Sequence, residues 1–282
     1  MKKINKKQSP KEFEARKAAI YATHRKITAE RESGKDGRFN AYEELTGADR
    51  AILRPVLAQE QGYICVYCEK ELTVNKEMPE LKSDLVIEHF RPESIYQGLV
   101  NTTGKVKFLC DDLEKYRDDL TLDYNNLFLS CNGDSDGKEH CDASKKNWDF
   151  CYLTNPSTWR TTEERKIIFT KNGFIASRDE NILLELKGKR DKKGEGISPH
   201  YLNLNEQNLV ELRKRTWVAI ARQITKKTGV TNWEKGGDEV LEIVNKFKFL
   251  YRNGKRVNNE VYYKPFRSYI LSNLERRFKG RL

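Results

Sequence analysis

Two cysteine pairs bracket a glutamate and a histidine in the middle of the chain. Cys65 and Cys68 form a Cys-x-x-Cys step, and Cys131 and Cys141 form a wider second pair separated by NGDSDGKEH. Structural zinc takes four soft ligands at tetrahedral corners, and a Cys-x-x-Cys turn supplies two of them. The Gly-, Asp- and Ser-rich loop can bulge out while its ends close on a metal, at small entropic cost. The spacing therefore predicts a structural zinc site, with reduced thiols that merely pack as the alternative.

Three further residues bear on this prediction. His140, next to Cys141, is an alternative ligand to one of the sulfurs, and Cys110 and Cys151 are interpreted as ordinary buried or spare thiols. The basic N-terminal sequence MKKINKKQSP is not followed by an apolar h-region, so we expect a cytoplasmic protein. Because the cytosol is reducing, metal binding explains the clustered cysteines better than disulfides do.

The second chemical feature is the pair Glu88 and His89, in the sequence IEHFRP. A neutral imidazole is a suitable base near pH 7, and a carboxylate is a suitable ligand for a hard divalent cation. A single histidine beside an apolar run more often packs than catalyses. The position of His89 between the two cysteine pairs favours chemistry.

Short apolar segments are expected to position these residues. Residues 84–90 (DLVIEHF) are predicted to form a strand, and residues 122–131 (LDYNNLFLSC) a second short apolar segment, either strand or helix. A polar, charged insertion at 93–120 separates them. Residues 141–150 look like the start of a short helix, with Asp142 near its N-terminus.

The flanking regions carry mainly helical patterns. Charged amphipathic spacing predicts a helix at 10–33, and a second helix at 46–62 with a kink at Pro55. Two apolar runs around Asn172 and Gly173 predict a β-hairpin with a type I′ turn. A flexible basic connection at 190–200 precedes helical spacing over residues 204–227, 239–254 and 265–282.

The central residues, in the order in which they occur along the chain, resemble those of the HNH nucleases, which have the ββα-metal fold. In that family an acid–histidine pair ends the first strand, often with a proline close behind, as in IEHFRP. An asparagine followed by leucine opens the second strand, as in NNLFLSC, and a zinc-bearing subgroup brackets the core with two cysteine pairs. The last helix carries Asn or His with Lys three residues on, where this chain has Asp142 and Lys145. The resemblance covers roughly residues 50–150.

The resemblance implies a role for each matching side chain. His89 would be the general base, and Glu88 a ligand of Mg²⁺ or Mn²⁺ at a position where the family more often has Asp. Asn126 would orient the imidazole, with Asn125 as the register alternative and a turn or capping role as the structural one. Asp142 would be the second ligand of the catalytic ion, with helix capping as its alternative role.

Three basic residues complete the implied site. Lys145 or Lys146 would touch a substrate phosphate, and a solvated lysine is the alternative for each. Arg91 is a further phosphate candidate.

A narrower likeness extends over most of the chain. EHFRPES, DYNNLFLSCNG with HCDASKKN, the hairpin FTKNGFIAS and LNLNEQNLVELRKR together resemble the HNH proteins of anti-phage systems, namely the Septu (PtuB-like) and retron-associated HNH endonucleases. This likeness implies an effector that works beside an ABC-type, PtuA-like ATPase or, in a retron system, with a reverse transcriptase and its msDNA. Composition and spacing carry no information on such a partner.

The formal net charge of +11 is unevenly distributed. Residues 61–150 carry 11 Lys and Arg against 18 Asp and Glu, whereas residues 1–60 carry 14 against 9 and residues 151–282 carry 28 against 15. Basic flanks suit a nucleic acid, because neutralising phosphates releases counterions, and they also suit an acidic protein partner. A solvated surface is the alternative. Apolar runs are far shorter than the roughly 20 residues that cross a membrane, so we expect no membrane association.

The sequence thus predicts an α+β protein in three parts. Residues 61–150 would form a zinc-stapled ββα-metal HNH core, flanked by a basic helical segment at 1–60 and a basic, mainly helical region with a β-hairpin at 151–282. The expected activity is metal-dependent phosphodiester hydrolysis, with DNA favoured over an RNA such as tRNA. A zinc-stapled scaffold that binds nucleic acid or a partner without cutting is the alternative from another class; Glu88, His89 and Asn126 argue against it.

Overall fold

The computed structural model is a mixed α+β protein of helices and small antiparallel hairpins. It describes residues 1–30, 40–73, 85–93, 120–133, 138–146, 149–188, 201–233 and 236–278. The helices in this part of the chain are α1 (Lys11–Glu30), α2 (Gly47–Gln61), α3 (Cys141–Lys145), α4 (Thr161–Lys166), α5 (Glu180–Lys187), α6 (Gln207–Thr228), α7 (Asp238–Asn253) and α8 (Arg267–Arg277). The strands are β1 (Leu85–His89), β2 (Leu127–Cys131), β3 (Ile167–Phe169), β4 (Ile175–Ser177), β5 (Lys255–Val257) and β6 (Glu260–Tyr262). The predicted insertion at 93–120 and connection at 190–200 lie almost entirely outside these residues.

Helix α2 has well-defined ends that deliver the chain to the first cysteine pair. The Thr46 hydroxyl accepts a hydrogen bond from the Asp49 backbone nitrogen at 3.2 Å, and the Asp49 carboxylate accepts one from the Thr46 nitrogen at 2.8 Å. This capping box satisfies two backbone donors that a helix start leaves unpaired. The helix ends at Gly62, with a φ of 65°, where an added Cβ would lie 2.1 Å from the Tyr263 ring. Glycine therefore permits both the turn and the close approach.

Strands β1 and β2 form an antiparallel pair at the centre of the fold. Leu85 lies opposite Cys131, and His89 opposite Leu127, so residues 127–131 form a strand rather than a helix. Every residue of β2 is buried, and helices α2 and α3 both pack against this strand. The buried Gln61 side chain accepts from the Leu129 nitrogen at 2.6 Å and donates to the Leu129 carbonyl at 2.8 Å, which anchors α2 to β2.

The β3–β4 hairpin was predicted correctly, but the prediction of a type I′ turn was wrong. The Gly173 nitrogen donates to the Thr170 carbonyl at 3.1 Å, and Gly173 has a φ of 83°. Asn172 is not among the residues with positive φ, whereas a type I′ turn requires positive φ at both central positions. The longer loop fits a type I turn followed by a left-handed glycine. An added Cβ on Gly173 would lie 3.0 Å from the Val210 carbonyl, so the loop packs closely on α6.

The β5–β6 hairpin was not predicted. Asn258 and Asn259 have φ values of 49° and 64°, so the two-residue type I′ turn is formed here. The Tyr262 ring stacks on Tyr63 with centroids 4.2 Å apart, and both hydroxyls donate to Glu260. This hairpin therefore packs against the segment that carries the first cysteine pair.

Buried side chains from all three predicted parts lie in one hydrophobic cluster. It includes Phe13 of α1, Phe128 of β2, and Trp217 and Leu274 of the C-terminal helices. The three-part division stays a prediction. In the part of the chain that the structure describes, no helix has both the length and the apolar character needed to cross a membrane.

Candidate metal centre and adjoining cleft

The four cysteines of the two predicted pairs meet at one buried point. Their sulfurs all lie within 4.8 Å of one another. Cys65 Sγ lies 4.0 Å from Cys141 Sγ, and Cys68 Sγ lies 3.7 Å from Cys131 Sγ. A tetrahedral zinc with Zn–S bonds of about 2.3 Å needs sulfur separations of roughly 3.8 Å. The donor set and its spacing therefore fit a structural zinc.

The sulfurs of the first pair accept hydrogen bonds from backbone nitrogens of their own turn and of β2. The Lys70 nitrogen donates to Cys68 Sγ at 3.4 Å, and the Cys131 nitrogen donates to Cys65 Sγ at 3.4 Å. Burial opposes ionisation of Cys65, but hydrogen bonds from neighbouring cysteines, Cys131 first, hold its pKa well below its usual value. Such N–H donors stabilise negatively charged sulfur, which is the form that binds a metal.

The long second loop closes at its base as the sequence analysis predicted. The His140 nitrogen donates to the Gly133 carbonyl at 2.9 Å, although residues 134–137 lie outside the described residues. Gly133 has a φ of 73°, and an added Cβ would lie 1.7 Å from the His140 carbonyl oxygen. Glycine is thus required where the two ends of the loop meet. Cys141 follows directly as the first residue of α3.

His140 lies beside this cluster. Its Nδ1 is 3.2 Å from Cys141 Sγ, while the group of atoms that fits a metal comprises the four sulfurs alone. The imidazole is therefore placed to hydrogen-bond a ligating sulfur rather than to replace it.

The spare-thiol interpretation of Cys151 is wrong. Cys151 is disulfide-bonded, and Cys110, for which the same interpretation was made, lies outside the described residues. Among the described cysteines, the four of the cluster are the free ones.

Glu88 is buried at the end of β1, next to the cysteine cluster. Its Oε1 lies 2.6 Å from Lys145 Nζ and accepts a hydrogen bond from the Tyr67 hydroxyl at 2.9 Å. Burial acts to raise the pKa of Glu88, but the Lys145 charge and hydrogen bonds hold it below its usual value. Tyr67 lies between the two cysteines of the first pair, so the cysteine turn itself positions Glu88.

Asp142 lies against Glu88 and directly follows Cys141. Burial raises the pKa of Asp142 to about 8, together with a hydrogen bond to Glu88 and the charge of that carboxylate. Two carboxyl groups that are hydrogen-bonded to each other hold one proton between them, because two adjacent negative charges repel. A bound cation would remove that conflict.

His89 is also buried, and its ring is fixed by two neighbours. Nε2 lies 2.8 Å from the Thr121 carbonyl oxygen, so it carries the proton and Nδ1 is left as the basic nitrogen. The Tyr42 ring packs edge-on at a centroid distance of 4.7 Å. Burial lowers the pKa of His89, against the opposing effects of Glu93 and the Thr121 hydrogen bond. The arrangement favours a neutral, oriented imidazole.

Asn126 is buried, but its side chain holds the backbone near His89 rather than the imidazole. Its amide donates to the carbonyls of Arg91 at 2.9 Å and Leu120 at 3.0 Å, and its oxygen accepts from the Arg91 nitrogen at 2.7 Å. These bonds join the chain after β1 to the residue before Thr121. Asn125, the register alternative, is exposed, and the choice between the two asparagines stays a prediction.

We expect Asn126→Ala to lower the free energy of unfolding by about 2–3 kcal/mol, because it leaves buried backbone groups without partners. Asn125→Ala is the matched control and should change it by less than about 0.5 kcal/mol. Denaturant titration measures both. Equal effects of the two substitutions would contradict the positioning role of Asn126.

The three predicted phosphate contacts differ in their surroundings. Lys145 is only 1% exposed and also donates to the His89 carbonyl at 2.8 Å, so it acts within the site. Arg91 pairs with the buried Asp149 at 2.6 Å and is occupied in the fold. Lys146 is exposed and lies 3.5 Å from the exposed Glu139. Lys146 alone of these three is open to an incoming phosphate.

Lys145 and Lys146 line an open cleft with a volume of about 450 Å³, and Arg91 does not. Besides Glu88, His89 and Asp142, its walls include Tyr42 and Glu93. The volume falls in the range of ligand-binding clefts. The structure thus brings together the predicted metal ligands, the predicted base and one accessible cation.

Three residues of the site were missed by the sequence analysis: Tyr67, Thr121 and Tyr42. The sequence offered a signal only for Tyr67, since a residue inside a Cys-x-x-Cys turn must lie close to whatever the turn packs against. Comparison of this chain with models of protein families, with curated proteins and with solved structures finds no match.

Proposed function

We propose that this protein is a metal-dependent HNH endonuclease that hydrolyses phosphodiester bonds, with DNA as the favoured substrate. One observation carries the proposal: Glu88, His89 and Asp142 converge in a single cleft beside the four-cysteine cluster. The chain order also supports it. An antiparallel β1–β2 pair is followed by a short helix, α3, in the order that the HNH resemblance implies.

The cleft residues suit a hard divalent cation. Lys145 and Tyr67 both contact Oε1 of Glu88, and a metal ion held by Glu88 and Asp142 would replace the hydrogen bond between their carboxyl groups. Oxygen ligands of this kind bind Mg²⁺ or Mn²⁺. When bound, the ion supplies positive charge next to the phosphate as negative charge develops during hydrolysis.

The protein's own side chains would perform the other steps. His89 accepts the proton of the attacking water at Nδ1, because the Thr121 carbonyl occupies Nε2. Lys145 fixes the Glu88 carboxylate, and Lys146 contacts a phosphate at the open edge of the cleft. A zinc held by Cys65, Cys68, Cys131 and Cys141 would fix the first turn and α3 in place without taking part in the reaction.

We propose further that the nuclease is the effector of an anti-phage system of the Septu or retron type and acts beside an ABC-type ATPase. The likeness described above supports this part of the proposal. Co-purification of the chain, expressed together with the proteins encoded by its neighbouring genes, tests it. We expect an ATPase to remain bound to the chain, and a pull-down that contains no ATPase would remove this part of the proposal.

The nuclease proposal is tested with the purified chain, plasmid DNA and labelled RNA, with Mg²⁺ or Mn²⁺ added. We expect cleavage that depends on the added ion, and a loss on the order of 100-fold in Asp142→Asn, since a ligand of the ion is removed. Glu139→Gln is the matched control, because Glu139 is an exposed acid that lines the same cleft and pairs with Lys146. Cleavage of RNA but not of DNA would show that RNA is the substrate. Metal-independent cleavage, or equal losses in both variants, would remove the assigned site.

A further inference from the structure

We propose that a second, basic cleft in the C-terminal region binds backbone phosphates of a nucleic acid. The cleft has a volume of about 380 Å³ and is lined by Lys171, Asn172, Trp217, Asn273, Arg276 and Arg277. It shares no lining residue with the cleft that holds His89. The inference extends the proposed function by naming where substrate is held, but binding can be measured without cleavage.

The cleft is built by three elements that hold one another in place. The Tyr269 hydroxyl of α8 donates to the Lys171 carbonyl at 3.1 Å. Arg213 of α6, which is 1% exposed, donates to the Gly173 carbonyl at 3.1 Å and to the Leu204 carbonyl at 2.7 Å. The β3–β4 turn is therefore fixed between α6 and α8, and Lys171 projects from a rigid support.

Both arginines of the cleft are oriented before any ligand arrives. The Arg277 guanidinium lies 5.5 Å from the Trp217 ring centroid and 5.3 Å from that of Trp233. Arg276 donates to the Phe169 carbonyl and, at 3.2 Å, to the Asn273 side chain. Each guanidinium retains further N–H donors, because arginine has five. Such pre-oriented forks match the geometry of phosphate oxygens.

The charge of the cleft points to a polyanion. Its described lining residues include three cations and no acid. The nearest acid along α8, Glu275, pairs with Arg252 at 2.9 Å. By contrast, the His89 cleft is lined by four acids, Glu88, Glu93, Glu139 and Asp142, against two lysines. An acidic catalytic cleft attracts a nucleic acid poorly, so the affinity must come from a basic surface elsewhere.

A nucleic acid is favoured over an acidic peptide because of the kind of cations present. Two guanidinium groups fixed in a polar cleft suit the regularly repeated phosphates of a nucleic acid strand. The 28 Lys and Arg against 15 Asp and Glu in residues 151–282 extend the same positive field. Binding through phosphates is expected to depend little on base sequence.

Fluorescence anisotropy tests the inference with labelled 20-nucleotide single-stranded DNA, single-stranded RNA and duplex DNA. The measurements use the full chain carrying His89→Ala, without added divalent ion, so that cleavage cannot occur. The double variant Lys171→Gln, Arg277→Gln is compared with Lys255→Gln, Arg256→Gln. Lys255 and Arg256 are exposed on β5 and do not line the cleft. Each double variant removes one lysine and one arginine, so the two variants have the same net charge.

We expect the cleft double variant to raise the dissociation constant at least about tenfold, and to reduce the slope of log affinity against log salt by roughly 1.4 for single strands and 1.8 for duplex. The control should change the dissociation constant by less than about threefold. Equal effects in both doubles, or unchanged binding in the cleft variant, would overturn the inference. The inference would also be overturned if the cleft variant lost affinity for an acidic protein but kept its affinity for nucleic acid.

Arg277 also packs on two tryptophans, so the single variant Lys171→Glu, on an exposed turn, provides a test that leaves packing unchanged. It should weaken binding in the same direction. The two proposals fail separately: cleft-dependent binding in a chain that never cleaves would remove only the nuclease, and cleavage without cleft-dependent binding would remove only the basic cleft.

Discussion

His89→Ala is expected to reduce the proposed phosphodiester cleavage by about 10²–10⁴-fold, the usual contribution of a general base. The expectation depends on geometry rather than on the sequence motif alone. The Thr121 carbonyl holds Nε2 at 2.8 Å and the Tyr42 ring packs edge-on against the imidazole, so the remaining nitrogen is fixed in the cleft beside Glu88 and Asp142. Single-turnover cleavage of a labelled duplex with Mg²⁺ or Mn²⁺ measures the effect.

His89→Gln separates the chemical role from the packing role. Glutamine keeps an N–H donor that can reach the Thr121 carbonyl, but it has no basic nitrogen. Both variants should therefore lose activity, while His89→Gln should retain more of the parent's thermal stability. Zinc content, measured by mass spectrometry, should equal that of the parent in both. A His89→Gln variant that cleaves as fast as the parent would reduce His89 to a packing residue.

Cys131→Ser is expected to abolish stoichiometric zinc binding and to unfold the centre of the chain. Structural zinc contributes roughly 10–16 kcal/mol of apparent binding free energy in small zinc domains, and most of it becomes folding free energy. Cys131 is both the last residue of β2 and a member of the sulfur cluster, so its loss affects the strand pair and α3 together. We expect one zinc per parent chain and a large fall in melting temperature for the variant.

Cys151→Ser is the matched control for zinc content alone, because Cys151 lies outside the cluster of four free cysteines and its loss breaks a disulfide, which lowers stability for a separate reason. It removes a cysteine while leaving all four sulfurs of the cluster, so zinc content should stay at one per chain. Metal analysis and circular dichroism melting decide the matter. A parent chain free of zinc, or a Cys131→Ser variant as stable as the parent, would show that the sulfurs only pack.

The sequence predicts the cluster well because its information is local. A Cys-x-x-Cys step places two sulfurs together in any tight turn, and the glycine at Gly133 allows the second loop to close. The same holds for β1, whose apolar residues and terminal Glu88 and His89 occupy adjacent positions. In such cases spacing along the chain determines spacing in the fold.

The electrostatic partners could not be predicted, because they come from distant segments. Arg91 and Lys145 are basic residues near the motif, and their charge alone suggested phosphate contacts. In the fold, Asp149 and Glu88 neutralise them. Thr121 provides only a backbone carbonyl, which has no sequence signature at all. Turn types were also hard to predict from residue type. The Asn172–Gly173 pair lies in a longer loop, whereas the two-residue loop Asn258–Asn259 forms the type I′ turn, so loop length determined the turn type.

Helix α3 has only five residues, a single turn. Isolated helices shorter than about 12 residues are unstable in water, because the first turn fixes several backbone angles for one hydrogen bond. Cys141, Asp142 and Lys145 nevertheless all depend on that turn for their positions. The sulfur cluster therefore holds α3 together through Cys141. In a cell that withholds zinc, the chain would keep His89, but Asp142 and Lys145 would have no defined position. Zinc supply would then limit how much correctly folded protein accumulates.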